Sequence, residues 1–230
     1  MLLKRKDFQP CNTMGKNVSQ ADGRLIDVQN ASSRLMSLYA VGGGAVAERK
    51  YLNLDERHRV LAAVNTLAVR PALFALTLAW TGARVSEVLA LTPCSFQIER
   101  SLVSIVTLKR RCWSVREVPL PPDLMRALDR EFTLQAAQQG STHGDVRLWP
   151  MNRVTAWRYI KRLMKDAGVS GRPACPRGLR HAFGVGTVQA GVPITLLQKW
   201  MGHARLSTTG IYAAVSGPEE IALAKKFWDK

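Results

Sequence analysis

Apolar residues recur at helical spacing along most of the chain, and one short region carries strand-like residues instead. Val60, Leu61, Val64 and Leu67 form a stripe that predicts a helix from about Leu54 to Ala68. Asn53 is placed as its N-cap, with Glu56 three residues on as a relative of the capping box. Pro71 opens a second helix that stays apolar through Trp80, which points to the centre of the core. Gly82 marks a break, after which Val85, Val88, Leu89 and Leu91 resume a helical pattern. That pattern leaves Arg84 and Glu87 three apart on another face, spaced for an ion pair.

The stretches SFQIERSLVSIVTLKRR and SVREVPLP are rich in Val, Ile and Leu and predict a small antiparallel sheet. Lys109, Arg110 and Arg111 fall near its turn, where a long amine reaches a phosphate or simply meets water. Pro121 and Pro122 start a helix through DLMRALDREFTLQAA, followed by a polar loop from Gln138 to Asp145. MNRVTAWRYIKRLMKDAGV predicts another helix, with Val154, Trp157, Ile160 and Met164 as its apolar stripe. Its other face carries Arg153, Arg158, Lys161, Arg162 and Lys165, a surface suited to a nucleic-acid backbone.

A further helix is expected from about Gly178 to Ala190, with Ala182, Gly184 and Gly186 permitting close packing. Pro193 begins the next, ITLLQKWMG, and Gly202 ends it, which places His203 just beyond. Ser216, Pro218 and Glu219 start a last segment with Ile221, Ala224 and Trp228 as its stripe. Residues 48–230 therefore read as one α+β domain, mainly α-helical, with a small antiparallel sheet. Residues 1–47 read as a flexible arm ending at Gly42, Gly43 and Gly44, with a short helix from Ser32 to Ala40.

Charge changes this picture. Thirty-three Lys and Arg against 17 Asp and Glu leave a net charge of +16, which makes a polyanion the natural partner. The longest apolar run, Ala72 to Trp80, is far short of a membrane span. Cys11, Cys94, Cys112 and Cys175 lack metal-ligand spacing and read as reduced thiols. The start MLLKRKDF has no secretory apolar core, so a cytoplasmic location is expected.

Arg177 and Arg180 stand three apart at a helix start, where both guanidiniums reach one side near the positive helix end. Downstream lie the Gly202-His203 pair and, nine residues after His203, Tyr212. Together with TGARVSEVLAL, the VTLKRR to REVPLP hairpin and RGLRHAF, the element MGHARLSTTGIY resembles the tyrosine recombinase, or phage integrase, family. The match covers roughly residues 50–215, the family's catalytic domain.

The resemblance implies a site-specific recombinase that cleaves and rejoins double-stranded DNA through a 3′-phosphotyrosyl intermediate. Arg84 and Arg180 resemble the two arginines that hold the nonbridging oxygens of the scissile phosphate. Lys109 resembles the hairpin lysine that protonates the departing 5′ oxygen, with Arg111 as the fallback. His203 resembles the histidine that hydrogen-bonds the phosphate or assists proton movement, and Tyr212 the nucleophile. Arg110, Arg111, Arg153, Arg158, Lys161 and Arg162 are the remaining expected DNA contacts.

No cofactor and no metal are implied, and a free 5′ hydroxyl reverses the attack without ATP. The C-terminal segment is expected to pack on a second copy or back on its own domain. Arg177 stands where the family usually has histidine; it keeps the charge and is a poor general base. His181, next to Arg180, is expected beside the phosphate-binding set rather than in it. The first 47 residues are too few for the family's core-binding domain. A DNA-binding regulator on the same fold, and less favoured a type IB topoisomerase, are the other readings.

Overall fold

The computed structural model describes residues 39–40, 48–107, 114–140, 144–213, 220–221 and 224–225. Two short strands, β1 (Tyr39–Ala40) and β2 (Glu48–Arg49), pair antiparallel across the glycine run. The helix expected to end at Ala40 is thus extended at its last two residues, which pair with the segment leading into the domain.

Helix α1 (Leu54–Ala63) starts as predicted: Asn53 Oδ1 accepts the Glu56 N–H at 2.8 Å, and Glu56 Oε2 accepts the Asn53 N–H at 2.9 Å. The α-helix stops five residues before the expected end, and Val64–Thr66 tighten into a 3₁₀ turn. Helix α2 (Val69–Thr81) opens two residues ahead of Pro71, which sits in the first turn, where a missing N–H costs nothing. Leu73, Phe74, Ala75, Leu78 and Ala79 are all buried, so α2 is the central helix of the core. Its two buried hydroxyls donate one turn back, Thr77 to the Leu73 carbonyl and Thr81 to the Thr77 carbonyl.

Gly82 ends α2 at φ 59°, and a Cβ there would meet the Phe183 ring at 2.3 Å. Glycine is needed on both counts. Only one turn follows, α3 (Val85–Val88), so the resumed apolar pattern is mostly irregular backbone.

Strands β3 (Phe96–Gln97), β4 (Leu102–Val106) and β5 (Val115–Pro119) form an antiparallel sheet in that order, with Val103 opposite Val118 and Ile105 opposite Arg116. The segment read as one helix after Pro122 is two, α4 (Pro122–Phe132) and α5 (Leu134–Gln139), because Thr133 adopts φ 48° between them. Helix α6 (Arg153–Asp166) is capped by Asn152. Its buried stripe is Ala156, Ile160, Leu163 and Met164, whereas Val154 and Trp157 are 56% and 46% exposed. The predicted stripe therefore holds only in its second half, and the first turn of α6 points outward.

Helices α7 (Pro176–Gln189), α8 (Ile194–Met201) and α9 (Leu206–Gly210) complete the described domain. Helix α7 packs on α2, and the main cluster joins these helices to α1, α4, α6 and the sheet. A smaller cluster of Tyr51, Phe183, Val185, Leu197, Met201 and Tyr212 lies between α7 and α8. This mainly helical domain with one small three-stranded sheet matches the expected fold class. Glu220, Ile221, Ala224 and Lys225 are helical, and Ile221 is 54% exposed rather than packed into the core. Trp228 lies outside the described residues.

Candidate active site

Three chain breaks converge on one point: the turn after α2, the first turns of α7, and the segment after α8. Each delivers a cationic or titratable side chain, and the ends of α2 and α8 also leave the Gly82 and Met201 carbonyls free to accept. Arg180 shows the effect most clearly. Its Nη1 donates to the Gly82 carbonyl, and its Nη2 donates to the Met201 carbonyl at 2.8 Å and to His203 Nε2 at 2.9 Å. A guanidinium has five N–H donors, so these bonds leave two for an anion. Burial first, and then the neighbouring Arg84 charge, lower Arg180 to about 10, still protonated at neutral pH.

Arg84 precedes α3 and is half-buried. Its Nη1 donates to Glu87 Oε1 at 2.8 Å, and its backbone N–H donates to Glu87 Oε2 at 2.9 Å. The ion pair foreseen from spacing is therefore real, and it serves to aim Arg84. Glu87 also meets Arg116, whose Nη2 donates to Oε2 at 2.7 Å. Burial works to raise the Glu87 carboxyl, but Arg116, the Arg84 N–H and the Arg84 charge hold it below the usual range. Two arginines share one carboxylate, so with Arg180 the pocket keeps a net positive charge.

Sequence reading missed Arg116. It is 4% exposed and donates to Thr107 Oγ1 at 2.9 Å and to the Trp200 carbonyl at 2.7 Å. The signal was present: Arg116, Val118 and Leu120 alternate on one buried face of β5 and its extension. A charge on that face needs a partner.

His203 is buried with both ring nitrogens engaged, Nε2 by Arg180 and Nδ1 by Thr209 Oγ1 at 3.0 Å. Because arginine only donates, Nε2 accepts and Nδ1 carries the proton. Burial first, then Arg180 and Arg84, lower His203 to about 3.

Tyr212 follows α9 and is 1% exposed. Its ring stacks against His203, with centroids 6.3 Å apart and planes 7° from parallel. It also lies on α7 at Gly184, where a Cβ would fall 2.5 Å from the ring. Its hydroxyl is 3.0 Å from His181 Nδ1. Burial raises Tyr212 to about 12 against the opposing pull of Arg180 and Arg84. His181 is lowered to about 4 by burial and then by Arg180, Arg177 and Lys50.

Arg84, Arg180, His203 and Tyr212 are thus brought together. Arg177 is exposed, at the rim, where it acts on His181 through charge. Lys50 joins this rim; burial first, then Arg172 and Arg177, lower its amine. Neither Lys50 nor Arg172 stands out in a sequence pattern. Lys109, Arg110 and Arg111 lie outside the described residues. Arg153, Arg158 and Arg162 are exposed on α6, and Lys161 is half-buried beside Trp157, 5.8 Å from its ring centroid. Among the described residues no cluster of metal ligands exists, and no helix is long and apolar enough to cross a membrane.

Comparison with known proteins decides the family. The profile of the phage integrase family matches residues 50–218. The chain belongs to the phage integrase family. Tyrosine recombinase XerA of Pyrococcus furiosus is 26% identical over 170 residues, covering 73% of this chain and 58% of that protein. The chain therefore spans a little over half the length of that curated relative. A crystal structure of XerA recombinase matches with a TM-score of 0.61 at 25% identity, over 82% of this chain and 64% of that one. The XerH site-specific recombinase bound to its difH substrate shares the fold, with a TM-score of 0.62 at 22% identity over 78% and 54% of the two chains. In this integrase-family chain Arg177 is exposed, while the two histidines that meet Tyr212, His181 and His203, lie deeper.

Proposed function

We propose that this chain is the catalytic part of a site-specific DNA recombinase that cleaves and rejoins duplex DNA through a 3′-phosphotyrosyl bond at Tyr212. The observation that carries this reading is the gathering of Arg84, Arg180, His203 and Tyr212 from separate elements into one positively charged pocket. Arg84 and the two remaining donors of Arg180 hold the nonbridging oxygens of the scissile phosphate and stabilise the extra charge of the transition state. Tyr212 attacks phosphorus, and the 5′ oxygen leaves with a proton from Lys109 of the hairpin. His203, held as a neutral Nδ1–H imidazole, orients Arg180 and lines the phosphate site. Tyr212 is buried beside His203 and His181, so the phosphate has to reach its oxygen within this pocket.

The charge supports duplex DNA as the partner, and XerH, bound to its substrate, shares the fold. Lys161, Arg162 and Lys165 of α6 line a groove with Asp166, Val169, Ser170 and Gly171, where three cations against one carboxylate suit a DNA backbone. The exposed Ile221 suits packing of the C-terminal segment on a second copy.

Duplex DNA carrying a nick tests this reading, because the short fragment diffuses away and traps the covalent complex. The chain is expected to become attached to DNA, and Tyr212→Phe to abolish attachment while retaining binding. An adduct that persists in Tyr212→Phe overturns the assignment.

A further inference from the structure

We propose that His181 is the base that takes the phenolic proton of Tyr212 during attack, the duty that Arg177 cannot perform. This rests on the reading of Tyr212 as nucleophile. Its observation is one contact, Tyr212 Oη to His181 Nδ1 at 3.0 Å. A phenol facing a neutral imidazole donates, which places the ring proton on Nε2 and the lone pair of Nδ1 on the phenol.

The other groups at hand are committed elsewhere. His203 accepts from Arg180 at Nε2 and gives its Nδ1 proton to Thr209 Oγ1. Arg177 is exposed, and a guanidinium keeps its proton. His58 is exposed on α1, outside the pocket.

Electrostatics ties the transfer to substrate. Burial first, then the charges of Arg180, Arg177 and Lys50, keep His181 neutral. An imidazolium there is costly in the free protein. A phosphodiester held by Arg84 and Arg180 offsets that charge at the moment Tyr212 attacks. In the forward step the Oη–P bond forms, the P–O5′ bond breaks and the phenolic proton moves to Nδ1. The departing 5′ oxygen takes its proton from the hairpin lysine or from water. In rejoining, the 5′ hydroxyl attacks phosphorus and gives its proton to the hairpin lysine or to water, the Oη–P bond breaks, and His181 returns the phenolic proton to the leaving Tyr212 oxygen.

The probe is a pool of singly nicked duplexes of randomised sequence. The duplex that captures the chain covalently is then used for single-turnover rates from pH 6 to 10. His181→Asn keeps an acceptor for the hydroxyl but takes no proton, and His181→Gln is run in parallel so that one folded variant suffices. Both are expected to slow adduct formation about 100-fold at pH 7 with unchanged DNA retention in gel shifts. The deficit is expected to narrow as pH rises, because hydroxide then removes the proton. A full rate in either variant, or a deficit constant across pH, overturns the role of His181 and leaves Tyr212 in place. Adduct in Tyr212→Phe, or none with the unaltered chain, overturns the reading of Tyr212 and this inference with it.

Discussion

Arg116 Nη2 lies 2.7 Å from Glu87 Oε2, with the two side chains 3% and 1% exposed. The pair joins the sheet to the turn that carries Arg84. It also reaches the end of α8 through the Trp200 carbonyl, three residues before His203. Because Arg116 answers the Glu87 charge, Arg84 is aimed by the carboxylate without being neutralised by it. An ion pair far from the surface thus sets the charge that the pocket presents.

Removing Arg116 leaves the buried Glu87 carboxylate with Arg84 alone, one cation where the native pocket supplies two. Arg116→Met is expected to destabilise the domain by about 3–5 kcal/mol. Urea unfolding followed by circular dichroism measures it. The double variant Arg116→Met/Glu87→Leu is expected to recover most of that loss, since an apolar pair fills the same volume without desolvation cost. It is expected to form DNA adducts more slowly than the native chain, because Arg84 is then no longer aimed.

The two interior glycines of α7 are expected to part company on substitution. Gly184 faces the Tyr212 ring, and a Cβ there meets three ring atoms at 2.5 to 2.7 Å, so Gly184→Ala displaces the tyrosine. Covalent adduct is expected to be lost while DNA binding is kept. A Cβ at Gly186 would meet nothing within 4 Å, so Gly186→Ala gains helix propensity of about 1 kcal/mol. A rise in Tm for Gly186→Ala and loss of adduct only in Gly184→Ala check the pair.

Most of this site was legible because its residues sit at chain breaks that carry their own signals. Gly82, Pro193 and Gly202 mark the ends of helices, and Arg84 and His203 follow two of those glycines closely. Helix interiors were harder. The first turn of α6 has the apolar spacing of a core stripe, yet Val154 and Trp157 face out, since spacing reports a face without saying which elements cover it. Thr133 carries no glycine-like signal for its left-handed backbone, so α4 and α5 read as one helix. Arg116 and the His181 contact depend on pairing between distant segments, which no local pattern encodes.

Acid is expected to unfold the domain through its histidines before its carboxylates. His181 and His203 titrate near 4 and 3 in the folded chain, against about 6.5 when unfolded. Between those values the unfolded chain binds protons that the folded one does not, so stability falls as pH falls from about 6.5 toward 3. The combined loss is on the order of 2 kcal/mol after allowance for solvent screening. Glu87, held below the usual carboxylate range, adds a further loss at lower pH. Melting temperatures at pH 7.5, 5.5 and 4.5 test the order, and His203→Gln is expected to flatten the upper part of the curve.

Arg177 gives the last test, because its charge and its position make opposite demands. At the rim it is exposed and, in the recombinase reading, available to the DNA backbone, while through space it helps hold His181 neutral. Arg177→Ala is therefore expected to raise the His181 pKa from about 4, the sign that follows from removing a nearby cation. Titration of the imidazole by NMR reads this directly, without DNA. Since the same change removes one cation from the DNA face, affinity is expected to fall and its salt dependence to become shallower. A His181 titration that does not move would mean that burial and Arg180 alone set its charge state.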